Sequence, residues 1–228
     1  DYINNNNFIK IKKFKIIESL LILKMEEEND NKIKVILIGD SGVGKTNLIN
    51  VSSGNDFDEN EKSTLRASYL EKIIKINDVP YCLALWDTIG QEKLRNLTKL
   101  FFKNSKIVIF VYDITNKASF DGLVSWYNDV KELLGDDIIK AVVGNKQDLY
   151  DEQEEVTEKE GIEYAKTINA RFTLTSAKTD PESFILLLEE LLKDYLNKNK
   201  IGNGNVNEKN IKLGEDDKKK KKGEKKCC

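Results

Sequence analysis

The sequence predicts an α/β protein, a mainly parallel β-sheet with helices on both faces and one antiparallel edge strand. Three observations lead there. Short apolar runs such as Lys32–Ile38 and Ile138–Val143 alternate with stripes of helical spacing. The pattern Gly39-x-x-x-x-Gly44-Lys45-Thr46 joins the first run to a helix. Asn77-Asp78 sits between two strand-like runs as a hairpin turn.

Taken in order, Lys32–Ile38 (K-I-K-V-I-L-I) reads as a buried strand of a parallel sheet. The glycines that follow let the backbone turn its N–H groups inward as an anion-binding nest. Asp40, Ser41, Gly42, Val43 and Gly44 are thus expected to cradle a phosphate chain, with the dipole of the next helix behind them. Lys45 can reach β- and γ-phosphates, and the Thr46 hydroxyl is placed to ligate Mg²⁺. A polar stretch, Ser52–Ser63, leads to strands at Tyr69–Ile76 and Tyr81–Trp86. Helical spacing recurs at Phe120, Leu123, Tyr127, Val130 and Leu134, and at Phe184, Leu187, Leu188, Leu191 and Tyr195. Thr157-x-x-Glu160 is a capping box, and Asp180-Pro181 supplies an N-cap with proline at the first helical position.

The strand Ile138–Val143 ends at Asn145-Lys146-Gln147-Asp148, where an open α/β sheet holds ligands. The Asp148 carboxylate can accept two hydrogen bonds, from the N1–H and the exocyclic amine of guanine. Adenine offers neither donor in that arrangement, and leaving the carboxylate unpaired costs about 1–3 kcal/mol or more. Asn145 can contact the other edge of the base, and the aliphatic stem of Lys146 can lie across its face. Either motif alone is compatible with several readings; together they point to a guanine nucleotide.

These motifs, with Trp86-Asp87-Thr88-Ile89-Gly90-Gln91-Glu92, Val111-Tyr112-Asp113-Ile114-Thr115 and Thr175-Ser176-Ala177-Lys178, resemble the small GTPases of the Ras superfamily, and the Rab family in their wording. The resemblance runs from about Lys32 to Asn197 and implies the small G-protein fold of the P-loop NTPases, with a six-stranded sheet. It implies that Asp87 supports the magnesium ion, that Gly90 senses the γ-phosphate and that Gln91 orients the attacking water. It places Thr64 as the switch I magnesium ligand and Phe57 against the base. Ser176, Ala177 and Lys178 would support the guanine oxygen. Catalysis would rest on Lys45, Thr64 and Gln91, with GTP or GDP and Mg²⁺ bound. Two positions depart from the family wording: Arg66 and Ile89 replace small residues. Ile89 adds β-branched bulk beside Gly90, so a nucleotide-binding scaffold with little hydrolysis is the alternative expectation.

Composition agrees. A domain of about 165 residues buries close to 70% of its unfolded surface. Net charge is −2, which gives no argument for nucleic acid, and the absence of histidine removes Ser-His-Asp and Cys-His catalysis. A nucleotide kinase would need several arginines, and the chain has Arg66, Arg95 and Arg171 alone. Of three cysteines, Cys82 lies in a strand-like run and reads as a small buried hydrophobe.

Four segments are expected: residues 1–24 as an extension outside the fold or an amphipathic arm, 25–31 as a short polar lead, 32–197 as the GTPase domain, and 198–228 as a flexible tail. The tail carries a lysine-rich run directly before Cys227-Cys228. Rab-like chains ending in this way imply double prenylation, and two lipid chains plus a basic patch give stable anchoring. The expected location is the cytoplasmic face of an intracellular or plasma membrane, with a cytosolic pool. The resemblance further implies an exchange factor, a GTPase-activating protein, a GDP-dissociation inhibitor and trafficking effectors as partners.

Overall fold

The computed structural model describes residues 32–59, 68–88 and 99–202. Six strands form one sheet: β1 (Lys32–Ile38), β2 (Ser68–Ile76), β3 (Val79–Asp87), β4 (Ile107–Asp113), β5 (Ile139–Asn145) and β6 (Arg171–Leu174). Their spatial order is β2-β3-β1-β4-β5-β6, with β2 antiparallel to β3 and every other neighbouring pair parallel. This is the mixed, mostly parallel sheet that the sequence predicts. At its hairpin Asn77 and Asp78 take φ of 51° and 63°, the left-handed pair that a two-residue turn demands.

Among the described residues six α-helices accompany the strands: α1 (Lys45–Ser52), α2 (Lys117–Asp121), α3 (Leu123–Leu134), α4 (Tyr150–Gln153), α5 (Glu158–Thr167) and α6 (Pro181–Gly202). Alternation along β1 sends Val35 and Leu37 to one face and Ile36 and Ile38 to the other. On the first face α1 and α6 contribute Leu48, Ile49, Phe184, Leu187, Leu188 and Leu191 to one core. On the second, α3 and α5 bring Leu123, Trp126, Val130 and Ala165 against Phe110 and Tyr112. Toward the β2 edge that second layer ends in a run of rings, Tyr69 stacked on Trp86 at 5.1 Å and Trp86 tilted on Phe101 at 5.6 Å.

Three local expectations need adjustment. The stripe from Phe120 to Leu134 is two helices, separated at Gly122, where a Cβ would stand 2.9 Å from Asp40 Oδ2. Cys82 is half-buried with its Sγ 3.7 Å from Glu71 Oε2 on the neighbouring edge strand; it is not the buried hydrophobe its neighbours suggest. The last helix runs on to Gly202, past the point where its apolar stripe stops at Tyr195.

The helix starts are as read. Thr157 and Glu160 form a reciprocal capping box, and the Asp180 side chain accepts from Ser183 N. Glu160 also accepts from Lys117 Nζ at 2.8 Å, and this bond, followed by those with Thr157, holds its carboxyl down at about 2. A depressed carboxylate contributes stability that is full above its unfolded value, near 4.5, and is lost as pH falls toward 2. Glu160→Gln is therefore expected to lower the denaturant midpoint at pH 7, and the gap to wild type should close between about pH 4.5 and pH 2. A gap that stayed constant over that range would contradict the assignment.

Candidate functional site

The C-terminal ends of β1, β3, β4 and β5 stand side by side, and the loops leaving them build the site. The loop after β1 ends at Gly44, which takes φ of 93° as N-cap of α1. A side chain there would be strained, and its Cβ would fall 2.2 Å from Asn145 Nδ2. Lys45, the first residue of α1, is only 5% exposed and curls back over its own loop. Its Nζ donates to the carbonyls of Gly39 at 2.9 Å and Asp40 at 2.7 Å. Burial pushes this amine down to about 8, against the pull of the Asp87 and Asp40 charges. A buried cation held by neutral carbonyls is one that an anionic phosphate would stabilise.

Next along α1, Thr46 Oγ1 donates to Asp87 Oδ2 at 2.8 Å, and Asp87 is buried at the end of β3. Thr88 Oγ1 donates to Leu37 O at 2.6 Å, tying that strand end to β1. A small cavity of about 30 Å³ opens beside the pair, lined by Thr46, Asp87, Tyr69, Leu70, Ile49 and Asn50. A hydroxyl and a carboxylate are hard oxygen donors of the kind Mg²⁺ takes, so these residues fit the ion. Among the described residues no group of three or more acidic or cysteine side chains gathers to hold a metal, so other oxygens, from phosphate and water, would complete the shell.

The second motif closes the other side. Asn145, 2% exposed at the end of β5, donates from Nδ2 to Val43 O at 2.8 Å and accepts at Oδ1 from Ala177 N at 3.2 Å. One amide thereby joins the phosphate loop to the loop after β6. Lys146 adopts φ of 68°, and its Nζ pairs with Asp113 Oδ2, at the end of β4, at 2.5 Å. Asp148 is exposed and its Oδ1 accepts from Ser176 Oγ at 2.6 Å. That same Oγ accepts from Lys178 N at 3.1 Å and Thr179 N at 3.0 Å, so the serine orients both the carboxylate and its own loop. Phe57 is half-buried against the core cluster under α1 and α6. The structure thus brings together Asp40 to Thr46, Asp87, Asn145, Lys146, Asp148 and Ser176 to Lys178. Thr64, Arg66, Ile89, Gly90, Gln91, Cys227 and Cys228 lie outside the described residues.

A model of the Ras family matches residues 34–194. Similar proteins include Ras-related protein Rab-21 of Geodia cydonium, 40% identical over 165 residues that cover 71% of this chain and 72% of that protein. Ras-related protein Rab-11C of Dictyostelium discoideum is 36% identical over 172 residues, 74% of this chain and 76% of that one. The chain is a Rab-family small GTPase. The matched span holds every residue of the site just described.

Two side chains of this GTPase serve the site without being marked by any motif. Trp126 Nε1, in α3, donates to Asp40 Oδ1 at 2.9 Å and so fastens a helix of the second layer to the phosphate loop. Asn47, beside Thr46 and only 8% exposed, exchanges two bonds with the backbone of Asp58. The one available signal for Asn47 is its type: asparagine is a poor helix former, and a buried one inside a helix implies a partner elsewhere.

Proposed function

We propose that this Rab GTPase binds GTP and GDP with Mg²⁺, hydrolyses GTP, and acts as a nucleotide-switched regulator of vesicle traffic on the cytoplasmic face of a membrane. The observation that carries the reading is the Asn145 amide, which sets the base-side loop and the phosphate loop at a fixed spacing. A site built this way recognises a base and a polyphosphate on one molecule.

The loop amides and Lys45 hold the β- and γ-phosphates, and the phosphate charge favours the cationic form that burial disfavours. Thr46 and Asp87 would hold the Mg²⁺, with Thr64 as a further ligand; when bound, the ion neutralises charge on the phosphate oxygens. Asp148 reads the guanine donors while Ser176 keeps its carboxylate in place. Gln91 orients water and Gly90 contacts the γ-phosphate. Of the three arginines, Arg171 is engaged by Asp194 and Glu190 of α6, which removes it as an internal source of positive charge for the reaction. A GTPase-activating protein supplies that arginine instead. Cys227 and Cys228 carry prenyl groups, and the lysines before them add attraction to an anionic leaflet. An exchange factor, a GDP-dissociation inhibitor and effectors complete the cycle.

Asp148→Asn is the test of base recognition. It should weaken GTP binding and favour xanthosine triphosphate, whose 2-oxo group accepts from an amide. Unchanged GTP affinity with no gain for the xanthine nucleotide would remove the assignment. Hydrolysis is checked by single turnover of bound GTP. Unassisted turnover of roughly 10⁻⁴ s⁻¹ should rise by several orders of magnitude with an activating protein, and Gln91→Leu should lower it in both conditions. Equal rates for wild type and Gln91→Leu would contradict the role of Gln91. For the anchor, a variant lacking Cys227 and Cys228 should stay in the soluble fraction with nucleotide affinity intact; continued pelleting with membranes would show that the cysteines are not the attachment.

A further inference from the structure

The phosphate loop contains an acid. Asp40 is the one carboxylate between Gly39 and Thr46, within the segment whose N–H groups are to hold phosphate. Carboxylate and phosphate oxygens accept from the same donors, so an acid in an anion-binding nest competes with the ligand unless another group holds it. Here the two ends of Asp40 go separate ways. Its carbonyl receives Lys45 Nζ at 2.7 Å, while its carboxylate reaches α3, where Oδ1 accepts from Trp126 Nε1 at 2.9 Å.

Gly122, the N-cap of α3, leaves room for this. Its φ of −61° and ψ of −23° are ordinary right-handed helical values that any residue adopts, so its backbone does not call for glycine. Space does: a Cβ there would stand 2.9 Å from Asp40 Oδ2 and 3.5 Å from Asp40 Cγ. The first turn of α3 has no acidic side chain of its own, and the Asp40 charge lies where the positive end of the helix dipole favours it. Trp126, 1% exposed, keeps its ring in the second core layer and gives this carboxylate the N–H that a buried indole must satisfy. From that position the Asp40 charge still favours the cationic form of Lys45.

We infer that Trp126 is a positioning residue for phosphate binding: its indole N–H, with the space at Gly122, holds the Asp40 carboxylate against α3 and so keeps the N–H groups of the loop for the nucleotide. The inference rests on the nucleotide reading above and deepens it. A carboxylate deprived of the indole turns to the donors of its own loop and becomes an internal competitor of the phosphates.

The test is equilibrium titration of the full chain with the fluorescent probe mant-GDP in the presence of Mg²⁺. Trp126→Phe keeps an aromatic ring in the core and lacks the N–H; it should weaken binding roughly ten-fold, the scale of one hydrogen bond to a charged group. Adding Asp40→Asn to Trp126→Phe should regain most of that loss, because a neutral amide is a weaker competitor for the loop donors. Gly122→Ala should act in the same direction by crowding the carboxylate, although alanine is the better helix former, and Asp40→Asn should again restore binding. If the indole only fills the core, Trp126→Phe lowers the thermal midpoint, and the added Asp40→Asn recovers no affinity. Unchanged affinity in Trp126→Phe, or a loss that Asp40→Asn leaves in place or deepens, overturns the inference. Should Trp126→Phe fail to fold, Gly122→Ala decides by the same two criteria. If wild type binds no mant-GDP, the nucleotide reading itself falls, and that result is distinct from tight binding that these substitutions leave unaltered.

Discussion

Three stretches of chain far apart in sequence meet on one carboxamide. Asn145 donates to Val43 in the phosphate loop and accepts from Ala177 after β6, while its own backbone ends β5. Both ends of a buried amide must be satisfied, and leaving either partner orphaned costs about 1–3 kcal/mol. The remaining geometry follows from that. Gly44 can carry no side chain because Asn145 Nδ2 occupies the space, and the left-handed turn it makes starts the helix that presents Lys45 and Thr46. Ser176, next to Ala177, then stands within reach of Asp148.

The fold makes such an arrangement rigid. β1, β4 and β5 are the interior parallel strands of the sheet, buried on both faces by two hydrophobic layers, so the loops at their ends start from fixed points. Trp126 carries the second layer into the site by bonding Asp40, whose carbonyl receives Lys45. The chemistry asked of the site is positioning and electrostatics rather than covalent catalysis, and a chain without histidine is suited to that.

Much of this was legible in the sequence because it rests on local rules. The strand Lys32–Ile38 is bounded as read, the Asn77-Asp78 turn has the backbone its residues favour, and the Thr157 box and Asp180 cap are determined within four residues. The misread places are those where a distant group decides. Gly122 divides a continuous helical stripe where Asp40 lies against it. Cys82 looks buried from its neighbours in the chain, but it stands half-buried beside Glu71 of the antiparallel edge strand, a pairing its neighbours do not reveal. Trp126 and Asn47 belong to no pattern, since the one bonds across 86 positions and the other to backbone, which has no residue identity to read.

The central claim is that this spacing of loops holds a guanine nucleotide. The most direct measurement is of what the protein carries when purified: denaturing it, separating the released small molecules by anion exchange, and quantifying them against the protein. The account predicts GDP or GTP at close to one molecule per chain. Adenine nucleotide in that amount, or a protein that comes free of nucleotide and takes up ATP as readily as GTP, would contradict it.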